Sequence, residues 1–184
     1  MNSNNTLILG IGNTLLSDEG AGIHVLNKLQ TEHPDIQNAT FIDGGTLSFT
    51  LATYLQDCSN VIVLDAAEFK APPGTVKVLA GVEMDRFLGA ARRSPHEVGL
   101  LDLFDIARLT ESLPVNRALV GIQPKSIEWG MSPTPPVEAA LALAVDETMK
   151  LIRVWQTQRR QSIQIPPGAY VDPDNADRVL EITP

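Results

Sequence analysis

Two hydrophobic periodicities take turns along this chain. Residues 6–9, 40–42, 61–64 and 118–122 form short, nearly unbroken apolar runs rich in Ile, Val and Leu. Such runs predict strands covered on both faces, because a strand with one wet face alternates apolar and polar positions. Residues 75–80 alternate more and follow the turn sequence Ala71-Pro72-Pro73-Gly74. They predict an edge strand, antiparallel to 61–64.

Helical spacing fills the intervals. Ile23, Leu26 and Leu29 share one face, as do Leu47, Leu51, Tyr54 and Leu55. Ser94-Pro95-His96-Glu97 has the form of a capping box, with Ser at N-cap, Pro at N1 and Glu at N3, ahead of Val98, Leu101, Phe104 and Ile106. A last long helix is predicted from about Pro136 to Trp155. From Thr157 onward the chain turns polar and proline-rich, which predicts an extended tail. Strands alternating with helices give an α/β fold, a three-layer α/β/α sandwich around a mostly parallel sheet. The expected organisation is a single catalytic domain over 1–157, with 158–184 as tail.

Composition narrows the function. The chain has 184 residues, 43% of them hydrophobic, and a formal net charge of -8. That charge excludes nucleic acid as a partner, since its recognition depends on Lys and Arg neutralising phosphates. Cys58 is the single cysteine, so neither an intrachain disulfide nor a thiolate zinc cluster can form. No apolar stretch approaches the roughly 20 residues that span a bilayer, and no basic residue precedes the first apolar run as in a secretory signal. The expectation is a cytoplasmic monomer with no membrane partner.

Function in such a sheet gathers outside the carboxyl ends of the strands, and acids recur there. The stretch GIGNTLLSDEGAG places Asp18 and Glu19 after the first strand; Asp43 ends the second and Asp65 the third. A dinucleotide fingerprint would need Gly or Ala where Leu15 stands, and acids in the loop would repel a pyrophosphate. No nucleotide cofactor is therefore expected. Clustered carboxylates instead call for a cation. Among the three histidines, His24 reads as a half-buried helix residue and His33 as a solvated loop residue. His96 falls in the first turn of a helix, where the positive helix end keeps imidazole neutral and able to ligate. Glu19, Asp65 and His96 are thus candidate donors of an open O,O,N metal site, although spacing alone does not bring them together. Cys58 reads as a packing residue, and no GxSxG occurs, which leaves water as nucleophile.

In order along the chain, GIGNTLLSDEGAG, DGGT at 43–46, the strand-end Asp65, SPHEVGL at 94–100 and LVGIQPKSIEWGMSPTPPVEAAL resemble the hydrogenase maturation endopeptidases. The resemblance spans residues 6–155. It implies an α/β/α sandwich with a five-stranded twisted sheet. It also implies removal of a short C-terminal extension from the nickel-loaded precursor of the nickel–iron hydrogenase large subunit. Nickel, supplied by the substrate, would be contacted by Glu19, Asp65 and His96. Cleavage would use water polarised by nickel or deprotonated by a carboxylate, Asp43 or Asp65, and client selection would fall to loops 68–74, 92–94 and 124–136. The alternative is a non-catalytic nickel-site chaperone for the same client.

Overall fold

A computed structural model of the chain describes residues 5–46, 51–90, 95–163, 170–171 and 179–180, with side chains described up to residue 158 and excluding those of 95–98. Five strands, β1 (Thr6–Gly10), β2 (Ala39–Asp43), β3 (Asn60–Ala66), β4 (Val76–Ala80) and β5 (Asn116–Ile122), form one sheet in the order β2-β1-β3-β5-β4. All pairs are parallel except β4 with β5. The central strands β1 and β3 are buried almost throughout, which explains their unbroken apolar sequences. β2 is half-exposed instead, because it is an edge and has a neighbour on one side only. β4 is the antiparallel edge strand that its alternation predicted, but it pairs with β5 rather than with residues 61–64. Alternation identifies an edge; it does not say which strand lies beside it.

The helices are α1 (Ala21–Glu32), α2 (Ala52–Gln56), α3 (Val82–Ala90), α4 (Pro95–Leu109) and α5 (Pro135–Ile163), with a single 3-10 turn at Ser17–Gly20. One face of the sheet, with Leu7, Leu9, Val61, Val63 and Leu119, packs on α2, α3 and α4 through Leu55, Met84, Leu88, Leu103 and Phe104. On the other face α1 lies so close that a Cβ at Gly10 would press on Leu26, and Lys28 of α1 feels the charge of Glu138 in α5.

α3 has no counterpart among the predicted helices. Its sequence, VEMDRFLGA, offers only Met84 and Leu88 as buried contacts. Charge anchors it as well: Arg117 at the start of β5 donates through Nε and Nη2 to the two Asp85 carboxylate oxygens, at 2.9 and 2.6 Å. The guanidinium holds the Asp85 carboxyl below its usual pKa against the opposing pull of burial. α4 begins at Pro95, where the capping motif places N1; Ser94 lies outside the described residues, as does Leu47.

The chain divides into two compact units, 1–149 and 150–184. In the second, α5 runs to Ile163 rather than giving way to tail at Thr157. Residues 155–163 lack an apolar stripe, but Gln and Arg are good helix formers and continue a helix already nucleated. Beyond it the two-residue strands β6 (Tyr170–Val171) and β7 (Val179–Leu180) pair antiparallel. Among the described residues no helix is long and apolar enough to cross a membrane.

Candidate functional site at the strand ends

The chain leaves β1 toward β2 on one side, while β3 lies on the other, so the loops after β1 and β3 part at this point. That divergence opens the crevice in which α/β sheets bind ligands. Three backbone bonds close its floor. Ile11 N–H donates to the Leu64 carbonyl at 2.9 Å, Gly44 N–H to Gly10 O at 2.8 Å, and Gly12 N–H to Gly45 O at 2.8 Å.

Gly12 in the first loop and Gly22 in the first turn of α1 serve this close approach. Gly12 has φ +132, and a Cβ there would collide with the Glu19 carbonyl; one at Gly22 would collide with the carbonyls of Ile11 and Leu64. The loop therefore folds flat onto the end of β3, carrying Glu19 in its 3-10 turn beside the strand that ends with Asp65 and Ala66. Glu19 is half-buried and Asp65 nearly fully so. These two predicted donors come from directly adjacent elements.

Strand register separates the other acid. Asp43 pairs with Gly10, and Gly10 with Leu64. Since paired residues share a face and successive residues alternate, Asp65 faces the side of α2, α3 and α4, whereas Asp43 is set toward the side of α1. Two strand spacings put their backbones about 10 Å apart. The pair is no carboxylate dyad. Asp43 is exposed, and its Oδ1 accepts the Gly45 N–H at 2.9 Å.

Asp18 contradicts the reading that every acid of this loop faces a cation. It is completely buried. Oδ2 accepts the N–H groups of Lys125 (2.8 Å) and Ser126 (3.0 Å) and the Thr134 hydroxyl (2.8 Å), and Oδ1 accepts the Thr134 N–H (2.6 Å). Burial pulls its pKa up, but the hydrogen bonds from Thr134, Lys125 and Ser126 outweigh it and leave the carboxyl below its ordinary value. Asp18 is a clamp between the first loop and the loop joining β5 to α5. Sequence reasoning missed this role; the only signal was a Thr among the prolines of SPTPP, a backbone-capping residue far along the chain.

His96 is the second residue of α4, the helix that covers the same sheet face as Asp65; its side chain lies outside the described residues. Among the described residues no three His, Cys, Asp or Glu side chains cluster as a metal site. His24 is half-buried in α1, as expected, and so is His33, which closes that helix rather than standing in solvent.

Cys58 is buried in the core, with its thiol directed at the Leu55 carbonyl. Burial pushes its pKa up to about 11 against the opposing effect of a hydrogen bond with the Leu7 backbone, and the charge of Asp57 adds a lesser push. It also precedes β3, so the strand's own length, roughly 20 Å, separates it from Asp65. A neutral thiol at the wrong end of a strand is no nucleophile.

Comparison with known proteins matches residues 23–151 to a family model described as hydrogenase maturation protease. The hydrogenase expression/formation protein HupD of Bradyrhizobium diazoefficiens is 35% identical over 153 residues, covering 83% of this chain and 80% of that protein. The hydrogenase 2 maturation protease of Escherichia coli is 32% identical over 148 residues, covering 80% and 90%. The solved structure of the hydrogenase maturating endopeptidase HybD from E. coli superposes with a TM-score of 0.75 at 30% identity, covering 81% of this chain and 92% of that one.

Proposed function

The chain belongs to the hydrogenase maturation protease family, and on that premise we propose that it removes the C-terminal extension from the nickel-loaded large-subunit precursor of a nickel–iron hydrogenase. One observation carries the nickel-guided part of this reading: Glu19 and Asp65 project from a 3-10 turn and a strand end packed against each other at the switch point of the sheet. His96, at the start of α4, supplies the third donor. The nickel arrives as part of the substrate. An O,O,N set without sulfur holds it weakly alone and firmly once the client contributes its own ligands.

Hydrolysis then needs a water and a base. Asp43 fits the second role, being exposed and fixed by the Gly45 N–H. Water adds to the scissile carbonyl carbon, the carboxylate accepts its proton and passes it to the departing amide nitrogen, and the C–N bond breaks to give an acid and an amine. Asp43→Asn keeps the shape and removes the base, so kcat falls by about a hundredfold or more while precursor affinity, measured by calorimetry, stays within about threefold. Unchanged turnover removes Asp43 from the mechanism.

The test of the whole reading is a gel. Purified protein shortens a nickel-loaded precursor and leaves a nickel-free one intact under chelation. Equal cleavage of both would identify an ordinary carboxylate protease.

A further inference from the structure

Beside the turn that carries Glu19 lies an apolar surface that the chemistry above does not use. Leu15, Ile127, Trp129 and Met131 are 47%, 61%, 83% and 77% exposed. They sit on two stretches of backbone bound to each other. Leu16 bridges Gly130; Gly130 N–H donates to Leu15 O at 3.0 Å and Ser17 N–H to Gly130 O at 2.7 Å. The Ser17 hydroxyl reaches the Glu128 carbonyl at 3.0 Å, and Asp18 grips both ends of the loop at Lys125, Ser126 and Thr134. A slack loop would fold such side chains inward to hide them from water; this one is held by its backbone and keeps them out.

We propose that Leu15, Ile127, Trp129 and Met131 are the platform on which the folded body of the precursor docks, an inference that rests on the protease reading. Continuity with the site is the first argument. Leu15 lies two residues before the Ser17–Gly20 turn of Glu19 in the same loop, so whatever covers the platform lies next to that turn. Shape is the second. Side chains this exposed stand out from the surface instead of lining a cleft, and a protruding apolar knob fits a hollow in a folded partner, whereas an extended peptide needs a groove. Composition is the third, since Trp and Met are enriched at interface centres and Lys125 and Glu128 supply a polar margin. The clamp adds preorganisation, which spares the partner the ordering of a loop on binding.

Steady-state processing of nickel-loaded precursor by a Trp129→Ala, Met131→Ser double variant tests this. KM rises about tenfold or more and kcat at saturation stays within twofold, as expected for lost docking contacts. The melting temperature is unchanged, because neither side chain is packed. Val115, equally exposed at 81% but at the opposite end of β5, serves as control, and Val115→Ser leaves KM alone. A large subunit lacking the extension inhibits the wild type and fails to inhibit the double variant; a synthetic extension peptide inhibits neither. An unchanged KM overturns the proposal. So does inhibition of the wild type by the extension peptide that the double variant escapes, or a wild-type dimer in sedimentation that the variant dissolves. Cleavage of nickel-free precursor would sink the nickel-guided reading while leaving the KM comparison intact, so the two fail separately.

Discussion

Glu19→Gln is expected to stop precursor processing, by at least about a thousandfold, in a protein that melts within about 2 °C of the wild type. The amide is nearly isosteric with the carboxylate, so the turn and its packing on β3 remain. What disappears is an anionic oxygen donor, and an amide oxygen is a poor substitute at a divalent cation. Replacing groups that merely orient a ligand costs ten- to a hundredfold, so loss of a direct donor costs more. A gel assay beside a thermal melt checks both halves. Processing within tenfold of wild type would place Glu19 outside the site. A collapsed melt would make it a structural acid, which is the role its neighbour has.

Asp18→Ala has the opposite profile, with stability suffering first. The substitution strips partners from the Lys125, Ser126 and Thr134 N–H groups and from the Thr134 hydroxyl. Donors left without a partner cost about 1–3 kcal/mol each where water cannot reach them, and less at a loop that can swell to admit it. About 3–5 kcal/mol is expected in total, which lowers Tm by roughly 10 °C for a chain of this size. Thr134→Val, losing a single hydroxyl bond, costs about 1 kcal/mol. The pH dependence has a definite sign. The folded carboxyl titrates below its ordinary value, so its contribution is complete above that ordinary value and is lost as pH falls through the lower, folded one. Wild-type and Asp18→Ala stabilities therefore converge in strong acid and diverge toward neutrality. A difference independent of pH would mean that the charge of Asp18 contributes nothing.

These two neighbours show what could be read in the sequence and what could not. The strands β1, β3 and β5 were legible because a strand buried on both faces has no polar positions to confuse the pattern. The crevice was legible too, because Asp65 follows directly from an unbroken run and must lie at its carboxyl end. Asp18 and Glu19 were not separable. Both are acids in one turn, and only the fold turns Asp18 inward to meet amides more than a hundred residues away. α3 escaped for a related reason, since its anchor is Arg117 on another strand. The helix past Trp155 escaped because propensity, without an apolar stripe, leaves little trace. Trp129 stood in plain view in the loop before the last helix, but exposure is a property of the fold.

The Asp18 clamp also bears on the order in which the molecule is built. It joins positions 107 to 116 residues apart, and contacts of such separation carry the largest loop-closure entropy and form late in folding. On the ribosome the acids of the first turn emerge early, while the amides that fix them are made only after β5. A nascent chain thus displays Glu19 long before its turn is fastened or the Trp129 loop has been made. The first segment of the site to be synthesised is among the last to be locked.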